Sequence, residues 1–218
     1  MNILIACEES QEVCKAFRAK GHNAFSCDLQ ECSGGHPEWH IMGDVRLILD
    51  PPTMIFTCDG LRHHIPKWDL IIAHPPCTYL SNAGARWLWA GHKLNKERHA
   101  KGIEAKEFFM RLWTADCPLI CIENPIPSII YNLPAYNQVV QPYEYGHPYS
   151  KKTCLWLKGL SPLKPTEIIE DHKPFVSSGS YSKTHDPKYK GASRKGGSAR
   201  SRSHTFSGIA KAMAEQWG

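Results

Sequence analysis

Two apolar runs in this chain each end in a side chain suited to covalent or acid–base chemistry. The first, Leu70 to Ala73 within Trp68–Ser81 (WDLIIAHPPCTYLS), is closed by Pro75 and Pro76 and followed at once by Cys77. Those prolines fix φ and remove backbone donors, so the chain leaves the strand stiffly. It then carries one thiol at the strand's carboxyl end, where open α/β sheets bind their ligands. A thiol so placed can act as a nucleophile, and the polar Thr78, Tyr79 and Ser81 suit a loop lining a pocket. The second run, Leu119 to Ile122, ends in Glu123-Asn124-Pro125. A carboxyl group at the tip of a buried strand is costly unless paired or used. Desolvation is expected to raise its pKa and favour the protonated, hydrogen-bond-donating form. Two strand tips of one parallel sheet face the same crevice, so Cys77 and Glu123 are expected to share a pocket although they lie far apart in sequence.

The elements that must position these groups read as an α/β chain. Asn2 to Ala6 forms a strand, Gln11 to Lys20 a helix ended by Gly21, and Asn23 to Cys27 a second strand tipped by Asp28. That order suits a nucleoside-binding half-sheet, with an acid at the second strand's tip to bond ribose hydroxyls. The turn between them reads Ala6-Cys7-Glu8-Glu9-Ser10-Gln11 and lacks a glycine fingerprint. Two glutamates there would repel a pyrophosphate, which disfavours NAD and ATP; a phosphate-free, positively charged cofactor such as S-adenosylmethionine would be better served, and a solvated acidic turn of no function reads equally well. Asp44, in Gly43-Asp44-Val45, is placed to accept from an adenine amino group. Cys27, Cys32, His36 and His40 have zinc-ligand chemistry, but their gaps do not fit the usual structural sites, and no metal is expected.

Downstream, Met54 to Cys58 is a weak strand candidate, Ala83 to His92 a lid or a packed turn, and Lys96 to Thr114 an amphipathic helix. Its expected buried side is Ile103, Phe108, Met110, Leu112 and Trp113. Strands follow at Gln138 to Gln141 and Thr153 to Leu157, and a closing helix at Phe206 to Trp217. Between them lies a basic stretch with Lys183, Lys188, Lys190, Arg194, Lys195, Arg200 and Arg202 against the single acid Asp186. Such a stretch can neutralise phosphates; about four phosphate contacts would give a log–log salt slope of about −3.6. The expected organisation is a core over 1–157, a reduced basic segment over 158–203 and a packing helix over 204–218.

With 218 residues and 42% hydrophobic content the chain can bury one substantial core, and a net charge of +5 is compatible with a polyanionic partner. Nine cysteines at irregular spacings, with no export signal in MNILIACEES, suggest reduced thiols in a cytoplasmic protein without membrane contact rather than a disulfide scaffold. Any one of the nine is more often a small buried hydrophobe than a nucleophile, and only its context singles out Cys77.

Taken together, these motifs resemble the DNA cytosine 5-methyltransferases in a small form. Pro75-Pro76-Cys77-Thr78-Tyr79-Leu80-Ser81 is similar to that family's Pro-Pro-Cys-Gln-x-Phe-Ser loop, Glu123-Asn124-Pro125 to its Glu-Asn-Val, and Gly43-Asp44-Val45 to its Gly-Asp-Ile. Tyr145-Gly146-His147-Pro148-Tyr149-Ser150-Lys151-Lys152-Thr153 resembles Tyr-Gly-Val-Pro-Gln-x-Arg-x-Arg, with lysine and threonine in place of the arginines.

The resemblance implies a Rossmann-like class I S-adenosylmethionine-dependent methyltransferase fold with a mostly parallel sheet flanked by helices. It implies Cys77, Glu123 and Lys151 as catalytic groups, and Cys7, Glu8, Ser10, Asp28, Asp44 and Pro75 around the cofactor. Ser81, Lys152, Lys183, Lys190, Arg194, Lys195, Arg200 and Arg202 would meet DNA, either as a duplex with a flipped cytosine or as a single strand. The sequence leaves open an amino-directed DNA base methyltransferase, an RNA or nucleotide cytosine methyltransferase, and a nucleic-acid-binding module without activity. It names no protein partner.

Overall fold

Seven stretches rich in apolar residues pair into one sheet in the computed structural model, which describes residues 1–90, 92–175 and 205–218. They are β1 (Asn2–Ala6), β2 (Asn23–Asp28), β3 (His40–Met42), β4 (Leu70–Ala73), β5 (Leu119–Pro125), β6 (Gln138–Val140) and β7 (Thr153–Lys158). Their spatial order is β6-β7-β5-β4-β1-β2-β3. Strands β3, β2, β1, β4 and β5 are joined in parallel, while β7 runs antiparallel to both β5 and β6. The fold is therefore α/β with a mixed, mostly parallel sheet.

Alternation along the strands builds two apolar layers. Leu4 and Ala6 of β1 pack with Phe109 and Leu112 of α2 (Lys96–Trp113) on one face. On the other, Ile3 and Ile5 meet Val13 and Phe17 of α1 (Glu12–Ala19) and Ile209, Met213 and Trp217 of α3 (Ser207–Trp217). Fully buried strands covered by helices on both sides read as continuous apolar runs, as LIIA in β4 does.

Several sequence expectations shift on contact with tertiary packing. Leu112 is buried as expected and Phe108, Met110 and Trp113 pack partly buried against the core, but Ile103 is 40% exposed, and Gly102 and Phe109 join Leu112 on the buried side of α2. Gly102 is there because the Tyr131 ring lies directly against its backbone, leaving no room for a Cβ. The 54–58 candidate is Thr53–Phe56, paired antiparallel with Arg62–Ile65 in a separate hairpin. Ala83 to His92 overlaps a helical turn at Asn82–Ala85, a 3₁₀ turn at Arg86–Leu88 and a short hairpin of Trp89–Ala90 with Lys93–Leu94.

The start of the expected basic segment lies against the core. Leu163 is buried, Gln138 exchanges hydrogen bonds with its backbone, and Lys173–Pro174 pairs with Tyr149–Ser150. Lys183, Lys188, Lys190, Arg194, Lys195, Arg200 and Arg202 fall outside the described residues. No helix among the described residues is long and apolar enough to cross a membrane.

Candidate active site

Strand register decides which side chains meet. Ala6 pairs with Cys27 and with Ala73, and Ala73 with Ile122, so the residues that follow form one row at the sheet's carboxyl edge: Asp28, Cys7, His74 and Glu123. Antiparallel β7 begins at the same edge, with Thr153 opposite Pro125, which brings Lys151 to it as well.

At the centre of this row is a buried ion pair. His74 Nδ1 lies 2.8 Å from Glu123 Oε2, with the two side chains only 10% and 11% exposed. Thr205, entering from the segment before α3, donates its hydroxyl to the same Oε2 at 3.2 Å and stands 3.4 Å from His74 Nδ1. Burial alone would raise the Glu123 pKa. The His74 hydrogen bond and charge outweigh it, helped by Lys151 and Thr205, and hold the carboxyl at about 2. His74 moves the other way: burial pushes its pKa down, and Glu123 together with Glu8 more than reverses that. The expected neutral Glu123 is thus replaced by a carboxylate, because a cation one strand away compensates desolvation.

The Cys77 loop is tied to the Glu123 strand at several points. Asn124 Nδ2 donates to the Pro75 carbonyl at 2.8 Å from a buried position, Ser128 N donates to the Leu80 carbonyl, and Ser81 forms a bridge with Pro127. Ser81 N donates to the Cys77 carbonyl, closing the loop on itself. Cys77 is partly exposed, so a substrate can approach it. The Ser81 side chain is buried and accepts from Gly84 N, which makes it a cap for the following turn. Beside this loop a groove of about 570 Å³ is lined by Thr78, Ser81, Trp87 and Arg98.

On the β1–β2–β3 side a cleft of about 300 Å³ is lined by Cys7, Asp28, Leu29, Asp44, Val45 and Phe108, with Pro76 closing it toward the Cys77 loop. Three expected cofactor residues, Cys7, Asp28 and Asp44, therefore share one cavity; Pro75 is adjacent in the chain to its wall. Burial, with Asp28 next, pushes the Cys7 thiol well up, so it stays protonated there. The Asp44 carboxylate is engaged by the Arg46 guanidinium, which holds its pKa down.

Glu8 and Ser10 do not line this cleft. Glu8 is 4% exposed and its two oxygens accept the Val13 and Cys14 amides at 2.7 and 3.2 Å, satisfying the first turn of α1. Ser10 is buried beneath Gly34, and the neighbouring Gln11 holds the His36 backbone in both directions. The acidic turn is thus an internal support rather than a solvated surface.

Lys151 contributes positive charge to Glu123 and sits with its ammonium 5.7 Å from the centre of the Phe206 ring, while Lys152 is exposed. The cysteine–histidine candidates have other work: His40 is fully buried between Ser26 and the Gln30 carbonyl, and His36 stacks on Trp39. Among the described residues no group of three or more such side chains could hold a metal ion.

Two members of the site escaped the sequence reading. His74 carries the signal that marked Glu123, a titratable side chain directly after a buried apolar run, and it stands beside the more conspicuous Pro75, Pro76 and Cys77. Thr205 offered none, because it reaches the site from 131 positions beyond His74.

Neither a protein-family model nor a curated protein matches this chain. One similar solved structure is described as a DNA modification methyltransferase encoded within a prophage of E. coli. It is 16% identical with a TM-score of 0.42, over 78% of this chain and 52% of that one. The present chain thus spans about half the length of that protein.

Proposed function

We propose that this chain transfers a methyl group from S-adenosylmethionine to carbon 5 of cytosine in DNA, through a covalent adduct with Cys77. The observation that carries the reading is the tethering of the Cys77 loop to the Glu123 strand tip by Asn124, beside a cleft with an acid at the tip of β2. The strand order, with one reversed strand next to the last, is the order expected of class I methyltransferases and supports the same reading.

The cleft fits the nucleoside part of the cofactor. Asp28 would bond ribose hydroxyls, while Leu29, Val45 and Phe108 would offer apolar surface to a purine. When bound, S-adenosylmethionine supplies an electrophilic methyl group on a sulfonium. Acids at this edge suit that positive charge better than they would suit a phosphate.

Cytosine carbon 5 is a weak nucleophile and must first be made electron-rich. The Cys77 thiolate adds to carbon 6, and Glu123, sharing a proton with ring nitrogen 3, supports the charge displaced toward it. Lys151 supplies positive charge at the same edge as a point charge, without arginine's fork. Since a base inside a duplex cannot reach such a pocket, the substrate is flipped out or single-stranded, at a cost of roughly a few kcal/mol. The groove beside the Cys77 loop, with Trp87 60% exposed and the Arg98 guanidinium over the Tyr79 ring, suits the adjoining nucleotides by stacking.

The test is to incubate wild-type protein and Cys77→Ser with labelled cofactor and DNA, RNA or dCMP in parallel, then digest and identify the modified base. The reading expects 5-methylcytosine from DNA and its loss in the variant. Near-normal transfer by Cys77→Ser, or methyl groups on an exocyclic amine, would overturn it.

A further inference from the structure

An ionised Glu123 is a poor proton donor, yet the chemistry proposed above places a proton on ring nitrogen 3. The geometry offers a source. His74 and Glu123 share one hydrogen bond at 2.8 Å inside a nearly closed site, and both of the contacts from His74 and Thr205 fall on Oε2. Neither of these contacts engages Oε1. The other imidazole nitrogen, Nε2, is buried with no hydrogen-bond partner among the described residues. The imidazole is surrounded by charge from each element packed against it: Glu8 from the turn after β1, Glu123 from β5, Lys151 from the lead into β7, with the neutral Thr205 completing the shell. Two carboxyl groups against one ammonium favour the imidazolium. The thiols facing Glu123, Cys121 and Cys154, are pushed up by burial and stay protonated, so they do not compete.

We infer that His74 is a positioning residue and proton store: it lends a proton through Glu123 to cytosine nitrogen 3 and takes it back within the same turnover. The inference rests on the cytosine reading of the site. As the Cys77 thiolate bonds carbon 6, the carbon 5–carbon 6 π pair moves to carbon 4–carbon 5. The nitrogen 3–carbon 4 π pair then becomes a lone pair. The Nδ1 proton of His74 crosses to the Glu123 carboxylate, leaving a neutral imidazole, and the carboxyl group, after a half-turn, passes that same proton to nitrogen 3 and is again a carboxylate. When carbon 5 has used its electron pair to bond the methyl group, the nitrogen 3–hydrogen pair re-forms the double bond to carbon 4. The proton then returns through Glu123 to His74. Loss of the carbon 5 proton to solvent and expulsion of the thiolate follow, and the dyad ends as it began.

His74→Asn keeps a side-chain amide donor near Oε2 but has no proton to lend. Single-turnover methyl transfer to DNA would be measured from about pH 5.5 to 9 for wild type and this variant, with cofactor affinity measured alongside. The expected result is a rate lowered about 10²-fold at neutral pH, recovering as pH falls because solvent then protonates Glu123, with cofactor affinity unchanged. A variant within about threefold of wild type at every pH, or one slowed by the same factor throughout, would overturn the relay. An independent readout is the ¹⁵N spectrum of the His74 imidazole. It should show both nitrogens protonated to higher pH than in an ordinary histidine, and lose that shift in Glu123→Gln; a neutral ring at pH 6 would sink the inference. Failure to make any 5-methylcytosine in the wild type would remove the cytosine reading and the relay together. A normal product with an unaltered variant would remove the relay alone.

Discussion

Replacing Glu123 by glutamine should abolish a pH dependence of stability that the wild-type chain carries in acid. The Glu123 pKa falls from 4.5 to about 2 on folding because His74, Lys151 and Thr205 favour its charged form against burial. At about 1.4 kcal/mol per unit this is about 3 kcal/mol of stability. The sign follows from the depressed carboxyl: the contribution is complete above pH 4.5 and is lost as pH falls toward 2. Linkage puts about 2 kcal/mol of that loss between pH 5 and 3. In a chain of this size each kcal/mol moves Tm by about 2–4 °C, so wild type should lose about 4–8 °C more than Glu123→Gln over that window.

His74 has the opposite sign, since its pKa is raised on folding: its contribution is complete below 6.5 and fades as pH rises through the folded value. Near neutrality the variant should be the less stable protein, because removing one partner leaves the other buried without its counter-charge. The two curves of ΔG against pH therefore converge in acid. Urea denaturation at stepped pH, read by circular dichroism, measures them. Parallel curves for the two proteins would refute the reasoning.

Asn124→Ala should lower stability by about 1–3 kcal/mol through the unpaired Pro75 carbonyl, offset in part by removing the buried Oδ1, which lacks a partner among the described residues. Methyl transfer should fall more than Tm implies, because the Cys77 loop loses its tether; retained activity would argue against that role. Gly102→Ala should destabilise by about 1–3 kcal/mol despite better helix propensity, since the added Cβ displaces the Tyr131 ring, and near-ultraviolet circular dichroism should register the shift. Asp28→Ala should weaken S-adenosylmethionine binding about tenfold or more by calorimetry while leaving Tm nearly unchanged, as expected for a partly exposed carboxylate that bonds ribose.

Much of the fold is legible in the sequence. The apolar runs of β1, β4 and β5 and the 3.6-residue spacing in α1 and α3 are local patterns that burial on two faces imposes directly on sequence. Ile103 misled because a hydrophobic spacing alone does not say where a neighbour presses close; the Tyr131 ring, from another loop, sets the buried face of α2. Glu8 misled for a related reason. A carboxylate in a turn reads as solvated, yet here the folded chain aims it at the amides that open α1.

By itself the sequence determined the order of strands and helices, the proline-stiffened exit that carries Cys77, and the presence of a carboxyl group near the carboxyl end of a buried strand, which the structure extends from Ile122 to Pro125. Only tertiary structure decided the protonation state of that carboxyl. His74, Lys151 and Thr205 come from three other parts of the chain; strand register brings the first two to the Glu123 edge, and the segment before α3 brings the third. The electrostatic balance between desolvation and ion pairing depends on distances of a few ångströms, which no spacing along the chain encodes.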